Sequence, residues 1–200
     1  MNRTPSRPTP PAAPARAAGS VRIVGGRWRG TKLPVPDLDG LRPTSDRVRE
    51  TLFNWLQPAL PGAVVLDLFA GSGALGLEAV SRGAARAVLV ERDPGQAANL
   101  RGAVQRLQAG AQVGVVEDDA LRWLAAADGQ ARFDIAFLDP PFAGGLWQPA
   151  LQALLPQMAP DGWLYVESPA GQAPVLPPEW GLHRELRTAQ ARAALHRGPG

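Results

Sequence analysis

The fold class of this chain is decided by one stretch, Val64-Val65-Leu66-Asp67-Leu68-Phe69-Ala70-Gly71-Ser72-Gly73-Ala74-Leu75-Gly76. Apolar residues run into an acid, glycines follow, and helix-forming residues come next. The pattern predicts a buried strand that turns sharply into a helix, with the first N–H groups of the helix facing a ligand. We expect Gly71 and Gly73 to let the ligand approach the backbone, and Gly76 to bring the helix close to the sheet.

Two nucleotide cofactors, NAD and S-adenosyl-L-methionine, are the candidate ligands of this loop. The glycine spacing is that of a dinucleotide site, and Glu91 lies where an acid binds the ribose, 20 residues after Gly71. A carboxylate at Asp67, however, would repel the pyrophosphate of NAD. S-adenosyl-L-methionine (SAM) has no phosphate and carries an ammonium and a sulfonium group. Asp67 therefore favours SAM over NAD.

A second strand pattern, Phe133–Leu138, ends in Asp139-Pro140-Pro141-Phe142. The prolines have no N–H and stiffen the chain, so the Asp139 carboxylate and the Pro140 carbonyl form a rigid pair of acceptors beside the Phe142 ring. Such acceptors would orient the amine of a planar group for attack and stabilise its developing positive charge. Asp139 would then pass the surplus proton to water. The plain alternative, a turn that ends a strand, is disfavoured by the cofactor-type loop earlier in the chain.

Four segments together resemble the bacterial 16S rRNA guanine-N2 methyltransferases of the RsmD type. They are Arg22–Gly30, Leu41–Leu56, Asp67–Ala79 and Asp139–Phe142. The second segment, with its Arg-Pro-Thr-x-Asp-Arg-Val-Arg-Glu run, is the most specific, since many methyltransferases share the glycine loop.

The resemblance implies a SAM-dependent enzyme that methylates the N2 amine of a 16S rRNA guanine on the assembled 30S subunit. SAM would be held by Asp67, Phe69, the Gly71–Gly76 loop and Glu91, with Glu91 on the ribose hydroxyls and Asp119 beside the adenine. Asp139, Pro140 and Phe142 would receive the guanine.

Two rival functions remain open at this point. Methyltransferases of adenine, of cytosine or of a protein glutamine amide share an acid or Asn followed by two prolines and an aromatic residue. The motif therefore specifies an amine on a planar group rather than guanine. A ribosome-assembly factor that has lost catalysis is the other rival, which the presence of both Asp67 and Asp139 disfavours.

The composition sets limits on the kind of protein. The chain has 200 residues, 45% of them hydrophobic, which suits one α/β domain with a terminal extension. It has no cysteine and two histidines, so disulfides, thiolate-bound zinc and a histidine metal site are excluded. We find no apolar run long enough for a membrane span and no secretory signal pattern. We expect a cytoplasmic, metal-free monomer.

The charge is unevenly distributed along the chain. Residues 1–56 hold ten Arg or Lys against four Asp or Glu, whereas the rest of the chain holds eleven against fourteen. A basic segment on an acidic domain predicts docking to a polyanion, here the 16S rRNA. The candidate RNA-binding residues are Arg27, Trp28, Arg29 and Arg42, although Trp28 either stacks on a base or packs under its own hairpin. Arginine codon bias is the competing explanation for the abundance of arginine.

The chain divides into three predicted parts. Residues 1–20 are expected to be a disordered Pro/Ala/Arg-rich tail, residues 21–60 a basic hairpin and helix, and residues 61–200 a doubly wound, Rossmann-like methyltransferase domain. Predicted strands cover Val64–Phe69, Ala87–Glu91, Val113–Glu117, Phe133–Leu138 and Trp163–Glu167. Predicted helices cover Ser45–Leu56, Ala74–Arg82, Gly95–Gln108, Leu121–Ala127 and Trp147–Met158.

Acidic residues stand at the ends of four consecutive predicted strands: Asp67, Glu91, Asp119 and Asp139. The carboxyl ends of parallel strands share one edge, so these acids predict a binding edge. Helix capping would account for one or two of them. At the other end of the chain, the alanine-rich segment 189–200 is expected to be frayed or locally helical, because alanine is a poor strand former.

Overall fold

A computed structural model describes residues 19–35, 45–126, 132–142 and 144–200. The strands are β1 (Gly19–Arg22), β2 (Lys32–Val35), β3 (Val64–Asp67), β4 (Arg86–Glu91), β5 (Val113–Glu117), β6 (Phe133–Leu138), β7 (Met158–Pro169), β8 (Gly181–Arg187) and β9 (Ala191–Arg197). The helices are α1 (Asp46–Leu56), α2 (Ala74–Ser81), α3 (Pro94–Arg106), α4 (Ala120–Ala126) and α5 (Trp147–Leu154). Within the described ranges, none of these helices is long and apolar enough to cross a membrane.

The predicted doubly wound sheet is confirmed. Seven strands lie in the order β5-β4-β3-β6-β7-β9-β8; the first five are parallel, whereas β9 is antiparallel to both of its neighbours. The chain winds outward in one direction from β3 and in the other from β6, so a switch point lies between these two strands. Ligands of such sheets bind in the crevice at the carboxyl ends of the strands there.

Helices cover both faces of the sheet because the central strands are apolar on both sides. Val65 and Phe137 pack with α1, α2 and α3 on one face. Leu66 and Leu138 pack with α4 and α5 on the other. Alternate residues of β3 and β6 thus enter two separate cores, as strands buried on both faces require.

The basic N-terminal hairpin is confirmed and is part of the same core as the sheet. Strands β1 and β2 pair antiparallel from Gly19↔Val35 to Arg22↔Lys32, and Ile23 and Leu33 are fully buried against the α1–α2 face. The hairpin therefore begins two residues inside the segment expected to be a tail. Residues 1–18 and Arg42 lie outside the described residues.

The turn of the hairpin is fastened to the last residue of α2, Ser81. The Arg27 N–H donates to the Ser81 carbonyl at 2.9 Å, and the Trp28 N–H donates to the Ser81 hydroxyl at 2.9 Å. That hydroxyl donates to the Gly25 carbonyl at 2.7 Å. Gly26 has φ +75°, and a Cβ there would lie 2.0 Å from the Ser81 carbonyl oxygen. Only glycine permits this close approach of turn and helix.

A buried carboxylate, that of Glu78 in α2, joins the N-terminal segment to the sheet domain. It accepts a hydrogen bond from the Val24 N–H at 3.1 Å and one from Arg82 Nε at 2.9 Å. Arg49 of α1 lies 3.6 Å from it, and the side chains of Arg49 and Glu78 are both fully buried. Arg49 also donates to the Arg22 carbonyl at 2.7 Å and pairs with Asp46. One acid thus connects β1, α1 and α2.

The expectation that the C-terminal segment is frayed or helical is wrong. Residues Ala191–Arg197 form β9, which lies between β7 and β8 rather than at the edge of the sheet. Ala193, Ala194 and Leu195 are buried there, so packing on both faces outweighs the low strand propensity of alanine. The edge strand β8 was not predicted, because its residues are mostly exposed and show no apolar alternation.

The boundaries of the other elements follow the sequence closely, with two corrections. The predicted helix over Trp147–Met158 ends at Leu154 and continues only as a short 3₁₀ turn, Leu155–Gln157, because Pro156 has no N–H to extend it. Met158 instead begins β7, which is longer at both ends than predicted. Ser45 caps α1, because its hydroxyl accepts the Val48 N–H at 3.3 Å.

Replacing Glu78 with glutamine tests the buried network. The substitution keeps an acceptor for the Val24 N–H but leaves Arg49 without its buried counter-charge, so we expect the free energy of unfolding to fall by about 3 kcal/mol. Urea denaturation measures the loss. Glu50→Gln, an exposed position in the same helix as Arg49, is the matched control, and equal effects of the two substitutions would contradict the assignment.

Candidate active site

A cavity of about 230 Å³ lies at the carboxyl edge of the sheet, where the switch point predicts a ligand. Residues at four successive strand-to-helix connections contribute to it. They are Leu68, Phe69, Gly71, Val90, Glu91, Arg92, Asp93, Gln96, Asp118, Asp119, Ala120, Asp139, Pro141 and Leu146. The structure thus brings together predicted cofactor residues and the first residue of the predicted catalytic motif.

Glu91 holds the two loops that form one wall of the cavity. One of its carboxylate oxygens accepts the Gly71 N–H at 2.8 Å, and the other accepts the Asp93 N–H at 2.8 Å. Each oxygen keeps a further lone pair, and the side chain is only partly buried. Glu91 can therefore fix the glycine loop and still accept hydrogen bonds from hydroxyl groups of a ligand.

The three loop glycines have different roles. Gly71 has φ +51°, and a Cβ there would meet nothing within 4 Å, so its open side faces the cavity region. Gly73 has φ +74°, but its Cβ would lie 2.5 Å from Leu100 Cδ2. The missing side chain of Gly73 thus faces the core, so core packing requires glycine there. The predicted approach of the ligand to its backbone stays a prediction. At Gly76 a Cβ would lie 2.8 Å from Leu89 Cδ1, which agrees with the predicted close packing of helix on sheet.

Asp67 lies behind the cavity rather than in its wall. Its side chain is 3% exposed, and one carboxylate oxygen accepts the Gly76 N–H at 2.9 Å. Gly73 at the helix N-cap has no side chain to offer, so Asp67 supplies the missing acceptor to α2. Burial raises the pKa of Asp67 to about 7; the Gly76 hydrogen bond lowers it and the charge of Glu91 raises it further. The predicted contact of Asp67 with the ligand stays a prediction.

Asp119 combines helix capping with a place in the cavity wall. Its carboxylate accepts the N–H groups of Leu121 at 3.0 Å and Arg122 at 3.1 Å, so it caps α4. Its neighbour Asp118 pairs with Arg122, and that hydrogen bond lowers the pKa of Asp118 below its usual value. Of the four strand-end acids, capping of a helix thus accounts for Asp67 and Asp119, as the alternative allowed. Glu91, Asp119 and Asp139 still line one cavity.

The predicted catalytic motif follows β6 at the same edge. Asp139 is partly buried, Pro140 is buried, and Phe142 is 45% exposed. The Phe142 ring lies 5.9 Å from the ring of Trp147, at the start of α5. An acid and an exposed aromatic ring thus stand together beside the cavity, with the ring held from one side.

Three of the predicted RNA-binding residues, Arg27, Trp28 and Arg29, lie at the opposite edge of the sheet. Arg27 donates to Gln112, which immediately precedes β5, and its backbone N–H meets the last residue of α2. Because α2 starts at the carboxyl edge and spans about 12 Å, this turn lies at the amino ends of the strands. Trp28 packs against the core, as the second of its two predicted arrangements required. The Arg27 guanidinium lies 4.2 Å from its ring centroid. Arg29 is exposed.

Several site residues were missed in the sequence. Arg92, Asp118 and Leu146 line the cavity from strand-to-helix connections, and Gln96 lines it from the first turn of α3. Glu167 does not line the cavity but had a usable signal, since it ends a predicted strand just as the four recognised acids do. It is buried and accepts the Tyr165 hydroxyl at 2.8 Å. Burial, followed by the charges of Glu167 and Asp139, raises the pKa of Tyr165 well above its usual value.

Comparison with known proteins identifies the relatives of this chain. The family model described as conserved hypothetical protein 95 matches residues 21–197. Ribosomal RNA small subunit methyltransferase D of Escherichia coli strain K12 is 47% identical over 182 residues, which is 90% of each chain. The protein of the same name from Haemophilus influenzae is 42% identical over 175 residues, 86% of this chain and 91% of its own. The solved structure of yhhF from Escherichia coli, named as a methyltransferase, has a TM-score of 0.82 at 44% identity and covers 90% of this chain and 99% of its own.

The stability of the ligand-free protein should depend on the titration of Asp67. Its pKa is about 7 in the folded state against 3.8 in a model peptide. Because the pKa is raised in the folded state, the contribution of Asp67 to the free energy of unfolding is largest below pH 3.8. It falls by about 4 kcal/mol as the pH rises from 3.8 through 7. We therefore expect the stability of Asp67→Asn relative to the unmodified protein to increase between pH 3.8 and about 7 and to stay constant at higher pH. Urea unfolding at a series of pH values measures this, and a pH-independent difference would contradict it.

Gly71→Ala and Gly73→Ala form a matched pair that tests the roles of the loop glycines. Both place alanine at positive φ, which costs about 1–2 kcal/mol in each variant. Only at position 73 does the new Cβ also collide with core side chains, so we expect that variant to lose a further 1–3 kcal/mol. Thermal and urea unfolding measure the difference. Equal losses would show that the two glycines have the same surroundings.

Proposed function

This chain belongs to the family of conserved hypothetical protein 95, which includes the ribosomal RNA small subunit methyltransferases D, and we propose that it methylates the exocyclic N2 amine of a guanine in 16S rRNA. The assembled 30S subunit is the proposed substrate. The observation that carries the proposal is the meeting of Glu91, the glycine loop and Asp139 in one cavity at the switch point of the sheet.

The cofactor of this methyltransferase is SAM, and the cavity residues fit it. The lone pairs of Glu91 that the backbone does not use suit the two ribose hydroxyls. Asp119 and Phe69 both line the cavity wall, and we propose that the adenine lies beside Asp119. Bound there, SAM supplies an electrophilic methyl group at its sulfonium.

The residues of the catalytic motif would receive and orient the target base. A base in RNA must leave its stack to reach such a cavity, and the half-exposed Phe142 ring offers it a new stacking surface. The Asp139 carboxylate and the Pro140 carbonyl would accept the two amine hydrogens and stabilise the positive charge that develops on the nitrogen. Asp139 then hands the surplus proton to water. Positioning and electrostatics supply most of the rate enhancement in this proposal.

Labelled SAM provides the test of this proposal. The protein is incubated with labelled SAM and 30S subunits that lack modifications, and the methylated nucleotide is mapped by mass spectrometry. We expect one N2-methylguanine in the 16S rRNA. Methylation of an adenine, of a cytosine or of a protein glutamine would replace the proposed substrate, whereas SAM binding without any transfer would favour the non-catalytic assembly factor.

Asp139→Ala should abolish methyl transfer and leave the affinity for SAM nearly unchanged. Asp139 lies at the end of β6, where it can accept from the target amine, and removal of one such acceptor reduces the rate by about 10²–10³. Single-turnover transfer and calorimetric SAM binding measure the two effects. Asp161→Ala is the control, because Asp161 is exposed and pairs with Arg197. Near-normal turnover of the Asp139 variant would refute the catalytic role.

The basic hairpin is proposed to contact the rRNA backbone. The substrate particle is far larger than this domain, so contact can extend to the edge opposite the cavity. Each arginine that binds a phosphate contributes nearly one unit to the salt dependence of binding, and we expect the double variant Arg27→Ala/Arg29→Ala to lower the slope by roughly one to two units. SAM affinity should not change. Arg106→Ala, an exposed position on α3, is the control, and an unchanged slope would place the RNA contact elsewhere.

A further inference from the structure

Glu167 lies beside Asp139 on the neighbouring strand. Strands β6 and β7 pair in parallel with Phe137 opposite Tyr165 and Leu138 opposite Val166, so the next residues along each strand are Asp139 and Glu167. The Phe137 and Tyr165 rings meet edge to face on one side of the sheet, with centroids 6.1 Å apart. Side chains alternate along a strand, so Asp139 and Glu167 extend toward that same side.

A second, independent set of contacts ties Glu167 to the expected base-binding ring. The Trp147 indole N–H donates to the Glu167 carbonyl oxygen at 2.7 Å. The ring of the same tryptophan lies 5.9 Å from the ring of Phe142. Trp147 therefore links the backbone of Glu167 to the Phe142 ring.

The carboxylate of Glu167 is held in one orientation. The buried Tyr165 hydroxyl donates to its Oε2 atom at 2.8 Å, and the indole bond fixes its backbone. A carboxylate has about four acceptor sites, so it can accept the Tyr165 hydroxyl and other donors at the same time. A pre-oriented acceptor of this kind selects among ligands by the hydrogens that they present.

Guanine differs from the other amine-bearing bases at the atom next to its amine. In guanine, N1 carries a hydrogen beside the N2 amine, so the edge presents adjacent donors. In adenine and cytosine, the ring nitrogen beside the amine is an acceptor, which a carboxylate repels. A site with two neighbouring carboxylates therefore matches guanine and rejects the other two bases.

We infer that Glu167 is the residue that selects guanine: its carboxylate accepts the N1–H of the target base while Asp139 accepts the neighbouring N2 amine, and Tyr165 positions Glu167. The inference rests on the proposed function. The alternative is that Tyr165 and Glu167 form a buried structural pair with no part in recognition, and a loss of activity alone would not separate the two roles.

Base analogues separate selection from structure. 2,6-Diaminopurine keeps the amine at C2 but has no hydrogen at N1. The substrates are 30S subunits reconstituted with 16S rRNA in which a ligated synthetic fragment carries guanine or 2,6-diaminopurine at the mapped target position. We expect the unmodified protein to methylate the guanine subunits at least 10²-fold faster. This measurement needs no variant, and equal rates on the two substrates would overturn the inference.

Glu167→Gln should reverse part of this preference, because the glutamine amide can donate to an unprotonated N1. We expect a lower rate on guanine, a higher rate on 2,6-diaminopurine and unchanged SAM binding. Glu179→Gln, at an exposed position away from this edge, should leave the preference unchanged. If Glu167→Gln lowers both rates equally, or unfolds the protein while the unmodified protein shows no preference, Glu167 is structural. No methylation of the guanine subunits by the unmodified protein would instead refute the proposed function.

Discussion

The buried Glu78 carboxylate in α2 is the interaction on which the rest of this structure depends. It is shared by Arg49 of α1, Arg82 of its own helix and the backbone of the N-terminal hairpin. The first turn of the same helix carries the glycine loop, and its last residue holds the hairpin turn. An eight-residue helix thus sets the position of the cavity loop and of the basic segment together. The carboxylate accepts hydrogen bonds from the Val24 N–H and Arg82 and forms an ion pair with Arg49. Loss of the Glu78 charge would leave buried Arg49 without its buried counter-charge, which is costly.

The carboxyl edge of the sheet shows how one residue type serves two purposes. A parallel strand that leads into a helix needs an acceptor for the free N–H groups of the helix, and a ligand site at the same edge needs acceptors for hydroxyls and amines. Asp67 accepts a hydrogen bond from α2, behind the cavity. Asp119 caps α4 from the cavity wall. Glu91 holds two loops while it faces the cavity. Acids at strand ends therefore locate the carboxyl edge of the sheet reliably. The role of each acid depends on how deeply its side chain is buried.

The sequence was sufficient for the features that depend on local pattern. The β3–α2 loop, the strand before Asp139 and the parallel sheet with helices on both faces followed from apolar runs, glycines and strand–helix alternation. Features set by packing in three dimensions were not accessible. Examples are the core-facing side of Gly73, the burial of Asp67 and the inclusion of the alanine-rich β9 inside the sheet. Glu167 could have been predicted from the sequence, because it is an acid at the end of a predicted strand. That it lies beside Asp139 is known only from the register of β6 and β7.

The central claim is that the cavity between the glycine loop and Asp139 is the cofactor site from which the methyl group is transferred. A crystal structure of the protein with S-adenosylhomocysteine, the product left by methyl transfer, tests it most directly. The account predicts the ribose hydroxyls on the Glu91 carboxylate, the adenine beside Asp119 and the sulfur directed toward Asp139. Binding of this molecule elsewhere, for instance in the larger cavity between α5 and Trp180, or with its sulfur turned away from Asp139, would contradict the account.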